Sequence, residues 1–288
     1  MKHWPMLRPE SRTTSIDSSD NVSLFARIES PRQPRGCIVI SHGFGEHSGR
    51  YDKLAERLAG INLTVVRYDL RGHGRSHGKR GHASSYEMYL NDLDHAIELA
   101  REHHPTLPTF IFGHSMGGAV VLNYALRRGN KLSGVISSGP WLRLAFEPPA
   151  WKVWLAHRIA RLLPSLSMPT NLDINKLSHD PEVAKSIEAD RLTNSVISAA
   201  AYVGIVAAGE YAIAHAATLK IPLLLMHGTD DAVTDFRASE TFFAAAGSAD
   251  KAFKPWPGMY HETLNEIDSA PVYQTLIDWL EQRLTPTR

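Results

Sequence analysis

Cysteine is almost absent. Cys37 is the only one in 288 residues, so no disulfide can form within the chain and oxidative stapling plays no part in its fold. Its neighbours Ile38, Val39 and Ile40 mark it as a buried strand residue, where a neutral thiol is inert. Net charge is nearly absent too: 31 Lys and Arg against 30 Asp and Glu leave +1 with histidines neutral. So close a balance gives no field for steering a polyanion, and nucleic acid drops out as a partner. No apolar run approaches the ~18 consecutive residues of a spanning helix. The opening MKHWPMLRPE has no apolar core of a secretory signal. The expected location is cytoplasmic, with room for peripheral membrane contact. No repeat or low-complexity tract divides the chain.

What is present is an alternation. Residues 13–17 and 22–28 alternate around Ser-Ser-Asp-Asn, the pattern of a hairpin. Short apolar runs at 37–41, 63–68, 109–112 and 134–138 read as buried strands. Helical spacing fills 51–59, with Gly60 as its C-cap, then 85–104 and 116–128. From Pro140 to about Ala217 the alternation breaks into helical patterns with no convincing strand. Strands resume at 219–226 and 252–256, separated by a helix at 236–246, and 272–284 closes as a helix. Strands alternating with helices predict a mostly parallel central sheet flanked by helices. The chain then divides into a core, first part, at 1–139, a helical lid insertion at 140–217 and a core, second part, at 218–288. The lid is expected above the carboxyl ends of the strands, where open α/β sheets bind ligands.

Gly113-His114-Ser115-Met116-Gly117 fits G-x-S-x-G with a strand before it and a helix after it. A sharp turn there leaves no room for side chains beside the serine. It projects the Ser115 hydroxyl clear of the sheet at a helix N-terminus, where developing negative charge is favoured. A serine hydroxyl needs a base held by an acid, and in this arrangement the chain order is serine, acid, histidine. Asp230 and Asp231, just past the strand at 219–226, both qualify by position. His261, on the loop after the last strand, stands out by order and placement among 15 histidines. His42, His73, His77 and His82 lie in loops and read as structural hydrogen-bond donors. Two N–H groups must receive the oxyanion: those of Met116, after the nucleophile, and of Phe44, within His42-Gly43-Phe44-Gly45. Read as a phosphate loop, that stretch fails, since the third glycine is missing and Glu46 sits where phosphate would lie. Asn265 breaks any H-E-x-x-H motif from His261, and His103 and His104 end a helix with no partner at ligand spacing. Neither a metal nor a cofactor is expected.

HGFGEHSGRY, DLRGHGRSHGKRGH, GHSMGG, HGTDD and GMYHETLNE together resemble the monoacylglycerol lipase and lysophospholipase branch of the serine α/β-hydrolases. The likeness runs from about Ile16 to Leu284 and is weakest across the insertion. It implies the α/β-hydrolase fold with Ser115 as nucleophile, Asp231 rather than Asp230 as acid and His261 as base. It also implies that Glu46 and Arg50 lie near a glycerol head group, although the two could equally form a structural ion pair. Phe44 stands where the animal enzymes have a small residue, which implies a narrower acyl entrance.

The function this implies is hydrolysis of a small lipid ester, monoacylglycerol to glycerol and fatty acid, through an acyl-enzyme on Ser115. A lysophospholipase or a general carboxylesterase is the close alternative. A non-catalytic ligand receptor on the same fold is the alternative of another class, against which every triad member is present. An epoxide hydrolase or dehalogenase would carry Asp where this chain has Ser115. In the insertion, Trp151, Leu155, Ile159, Leu162 and Leu163 recur at helical spacing, with His157, Arg158 and Arg161 to the other side. Lys152 and Trp154 interrupt the pattern. Such a helix suits an anionic membrane surface, or it packs its stripe onto the core. Oligomeric state is not set by the sequence.

Overall fold

The computed structural model describes residues 10–284. The expectation that the first residues carry no secretory signal falls largely outside that range. The chain opens with β1 (Glu10–Asp17) and β2 (Ser23–Ser30), an antiparallel hairpin as expected. There follow β3 (Gly36–Ser41), α1 (Asp52–Gly60), β4 (Leu63–Tyr68), α2 (Tyr86–His103), β5 (Thr109–His114), α3 (Met116–Arg128) and β6 (Gly134–Ser138). Four strands and helices, α4 (Ala150–Leu162), β7 (Ser167–Pro169), α5 (Pro181–Ala189) and β8 (Val196–Ser198), lead to α6 (Ala199–His215). The chain ends through β9 (Leu223–Gly228), α7 (Phe236–Ala245), β10 (Lys251–Trp256) and α8 (Ala270–Glu281).

Eight strands form one sheet in the order β1-β2-β4-β3-β5-β6-β9-β10, antiparallel at the hairpin and parallel from β4 onward. The central strands are apolar throughout because both faces are covered. Side chains alternate between those faces: Cys37, Val39 and Ile111 join one core with α2, α3, α6 and α7, while Ile38, Ile40 and Phe112 join the other with α1 and α8. Cys37 is fully buried, and burial pushes its thiol up to about 12, consistent with an inert strand residue.

β3 pairs with β4 on one side and β5 on the other. The chain therefore reverses its winding direction there, and a crevice opens at the carboxyl ends of the strands. The loops after β3, β5, β6, β9 and β10 all reach that edge.

Two local expectations need correction. The insertion is not purely helical: β7 and β8 pair antiparallel over three residues each. Strands so short leave no alternation for a sequence to display. Gly60 is the last helical residue rather than a cap, and it is Asn62 that turns into the left-handed region, at φ 62°. By length and composition alone 199–218 could cross a membrane. In the fold its Ala201, Ile205, Ala208 and Ala212 are buried in the same core as α3, and Asn123 of α3 donates to the Ala208 carbonyl at 3.0 Å.

Candidate active site

Ser115 lies at the turn between β5 and α3, with φ 54° and ψ −118°. A non-glycine residue there costs on the order of 1–3 kcal/mol and persists only where its surroundings fix it. They do: the Ser115 N–H donates to the Ser138 carbonyl at 3.0 Å, and its own carbonyl accepts from Trp141 N–H at 2.9 Å. Gly117 has a steric role, since a Cβ there would run into the carbonyls of Ser41 and His42.

Asp231 follows β9 and is buried, whereas Asp230 is exposed and accepts from the Thr229 hydroxyl at 2.8 Å. His261 Nδ1 lies 2.7 Å from Asp231 Oδ2, and both side chains are nearly inaccessible. Burial alone would raise the Asp231 carboxyl. The charge of His261 and hydrogen bonds from His227 and His261 outweigh it and hold the group well below the usual carboxylate range. Burial would likewise lower His261, but Asp231, with Glu262 and Glu46 behind it, raises it above its ordinary value. The ring of His114 lies 4.6 Å from that of His261 between centroids. Burial, and then the charge of His261, lower His114 to about 4, so it stays neutral beside the pair. No hydrogen bond joins Ser115 to His261 in this arrangement; such bonds often tighten only in the reacting complex. Both residues line the same cavity.

The loop after β3 lies against the serine: a Cβ on Gly43 would sit 3.1 Å from Ser115 Cβ. His42 fixes this loop from below, donating through Nδ1 to the Gly43 carbonyl at 2.7 Å and accepting the Leu70 N–H on Nε2 at 2.8 Å. The Gly43 N–H is taken by Glu46 Oε1 at 2.5 Å. Among the described residues the N–H groups of Phe44 and Met116 have no backbone acceptor. His73 is buried beneath the Phe44 ring at 5.3 Å, His82 meets the Ser198 hydroxyl at 2.8 Å, and His77 is exposed.

Glu46 and Arg50 are brought together at 2.9 Å. Arg50 also grips Glu262 with two bonds of 2.8 and 2.7 Å, and Tyr51 donates to Glu46 at 2.7 Å. Burial would raise Glu46, but Arg50 and the neighbouring histidines hold it well below the carboxylate range. Two carboxylates on one guanidinium leave a net negative charge beside His261. Glu262 was not expected from the sequence, although it directly follows His261. Neither were His227 and Thr234, which both bond Asp231; the only signal was their place four residues before and three after that aspartate.

These groups border a cavity of about 740 Å³, within the range of small-molecule sites. Its walls, with Trp141, Val153, Met168, Ile174, Ile197 and Val233, are largely apolar. Residues from the 140–217 stretch, among them Trp141, Met168 and Ile197, line part of it, and two backbone hydrogen bonds tie the stretch to site loops: Asn194 N–H donates to the Gly45 carbonyl at 2.9 Å, and Glu262 N–H to the Leu177 carbonyl at 2.7 Å. In α4 the sequence-predicted stripe does not face the core. Trp151 is 63% and Leu155 40% exposed, Leu162 and Leu163 are more open than Leu155, and Ala156, outside the stripe, is the buried residue. Arg158 stacks over exposed Trp154, 5.2 Å from its ring centroid.

Residues 32–268 match the family described as serine aminopeptidase, S33. The chain is 34% identical to a monoacylglycerol lipase of Mycolicibacterium smegmatis, over 87% of this chain and 90% of that one. It is 31% identical to the phospholipase YtpA of Bacillus subtilis, over 87% and 96% respectively. The crystal structure of Paleococcus ferrophilus monoacylglycerol lipase superposes with a TM-score of 0.84 at 35% identity, covering 90% of this chain and 99% of that one. The chain has the α/β-hydrolase fold.

Proposed function

Because this chain belongs to the monoacylglycerol lipase branch of the serine α/β-hydrolases and is a carboxylic ester hydrolase, we propose that its substrate is a monoacylglycerol, cleaved to glycerol and fatty acid through an acyl-enzyme on Ser115. Ser115 Oγ attacks the ester carbonyl while His261 Nε2 takes its proton. Asp231 holds His261 through Nδ1 and stabilises the imidazolium that forms. The N–H groups of Phe44 and Met116 receive the oxyanion. His261 returns the proton to the departing glycerol, and water then hydrolyses the acyl-enzyme by the same route.

The observation that carries the reading is the pairing of a buried Asp231–His261 hydrogen bond with a strained serine on one mostly apolar cavity. The choice of head group rests on Glu46, Arg50 and Glu262. Glu46 Oε2 and Glu262 Oε1 each receive one bond from Arg50, which leaves each a lone pair for an alcohol O–H. A net negative cluster accepts a neutral glycerol and opposes a phosphodiester. Hydrolysis of monooleoylglycerol should exceed that of oleoyl lysophosphatidylcholine by about tenfold or more in kcat/KM. The reverse preference would assign a lysophospholipase, turnover of short soluble esters alone a general carboxylesterase, and no turnover a ligand receptor.

Residues 140–217 act in this proposal as a lid on a cytoplasmic enzyme that meets membranes peripherally. The exposed Trp151, Leu155 and Leu162 beside Arg158 and Arg161 support it. Leu155→Glu should weaken binding to anionic liposomes and turnover of long-chain monoacylglycerol by about tenfold, from loss of one buried leucine. Hydrolysis of soluble p-nitrophenyl butyrate should stay within about twofold, the site being untouched. A lowered melting temperature with both activities falling together would leave only a structural lid.

A further inference from the structure

Asp231 is held by more donors than orienting one histidine requires. The N–H groups of Val233 and Thr234 donate to Oδ1 at 2.7 and 2.9 Å. Three groups converge on Oδ2: His261 Nδ1 at 2.7 Å, the Thr234 hydroxyl at 2.8 Å and His227 Nε2 at 2.9 Å. Thr234 has a second acceptor in the Gly139 carbonyl at 3.1 Å, so its single hydrogen is shared between two sites. His227 Nε2 also lies 3.3 Å from the Thr234 hydroxyl oxygen, but the charged Asp231 oxygen is nearer, at 2.9 Å. The His227 ring is wholly buried, and its other nitrogen, Nδ1, lies 2.8 Å from the hydroxyl of Ser239, also wholly buried, on α7. An ionised carboxylate only accepts, so the nitrogen facing it carries the hydrogen. In the neutral ring Nδ1 must then accept from Ser239. Asp231 thereby fixes the tautomer of a histidine at the end of β9, and Ser239 on α7 satisfies the other nitrogen of that ring.

We propose that His227 is a positioning residue for ester hydrolysis: its Nε2–H draws charge from the Asp231 oxygen that holds His261 and so limits how strongly His261 binds a proton. The inference rests on the reading of Ser115, His261 and Asp231 as nucleophile, base and acid. A base must be neutral to take the Ser115 proton. Asp231 already raises His261 above its ordinary value. Were Oδ2 to lose one donor, the carboxylate would stabilise the imidazolium further, and less neutral His261 would be present near neutral pH. The other groups facing His261 would not change. His114, from the end of β5, is neutral. Glu46, from the loop after β3, and Glu262, beside His261 itself, both remain paired with Arg50. A histidine that only filled space would affect stability and leave the proton affinity of His261 alone.

The test is the pH dependence of fluorophosphonate labelling, with the adduct mapped by peptide mass spectrometry. In this reaction Ser115 Oγ bonds to phosphorus, fluoride leaves, and His261 takes the hydroxyl proton, so the rate follows the fraction of neutral His261. Wild type should label at Ser115 and lose rate as pH falls through a midpoint above 6.5, the ordinary histidine value. In His227→Leu that midpoint should move up by about half to one pH unit, with the alkaline plateau within about threefold of wild type. His227→Gln, whose amide N–H reaches the same oxygen, should bring the midpoint back to within about 0.2 unit of wild type. A midpoint in His227→Leu that coincides with wild type overturns the proposal. Should that variant not fold, His227→Met, which likewise lacks a donor, must move the midpoint in the same direction, and an unmoved midpoint there overturns it equally. Wild type unlabelled at Ser115 would instead overturn the nucleophile assignment, and this inference with it.

Discussion

Ser115→Ala should lower kcat for ester hydrolysis by about four to six orders of magnitude while leaving the melting curve in place. The backbone argument makes the second half as informative as the first. Ser115 holds its left-handed conformation through bonds of its N–H and carbonyl to residues 138 and 141. Alanine keeps both bonds and has the same Cβ, so the strain and its supports persist. The lost hydroxyl makes no hydrogen bond to the described residues, so its removal leaves no buried partner unsatisfied. Residual activity near wild type with an unchanged melting curve would remove Ser115 from the mechanism. A collapsed melting curve would show that the turn depends on the hydroxyl after all.

Asp231→Asn should cost on the order of 10⁴ in kcat, by a route the hydrogen bonds make explicit. The Oδ1 side of the carboxylate faces two backbone N–H groups, which cannot change their hydrogens. The asparagine oxygen must therefore take that side, and its NH₂ must face His261 Nδ1. To accept from it, His261 shifts its own hydrogen to Nε2 and then has no lone pair to receive the Ser115 proton. Asp230→Asn should change kcat by about twofold at most, because Asp230 is exposed and serves a turn hydrogen bond with Thr229. Steady-state kinetics on the two variants decides between the aspartates, and the opposite ranking would make Asp230 the acid.

Much of the architecture was legible because its signals are local and periodic. The runs that became β4, α3 and β6 have the boundaries their patterns predicted. Residues 113–117 needed only a strand before them and a helix after them to define a turn. Position alone left Asp230 and Asp231 open, and the resemblance favoured the residue that proves buried. What escaped had no local signal. β7 and β8 are three residues long and pair across the insertion. Arg50 and Glu262 meet across 212 positions of sequence, so an ion pair foreseen between two groups proves to be shared by three. His227 stood unremarked in the HGTDD stretch, since its bond to Ser239 depends on where α7 comes to lie. For α4 the sequence offered one apolar stripe, for a membrane surface or for the core, and the buried residue is small Ala156 instead. That choice follows from how α4 packs against α6, which no pattern within the helix records.

The central claim is a covalent acyl intermediate on one serine, and it can be read from a denatured mass spectrum. Wild type mixed with excess monooleoylglycerol and quenched with acid during turnover should show a fraction of the protein heavier by one oleoyl group. Peptide mapping should find that ester on Ser115, and Ser115→Ala should carry none. Acylation at another residue, or sustained glycerol release by Ser115→Ala at the wild-type rate, would contradict the account.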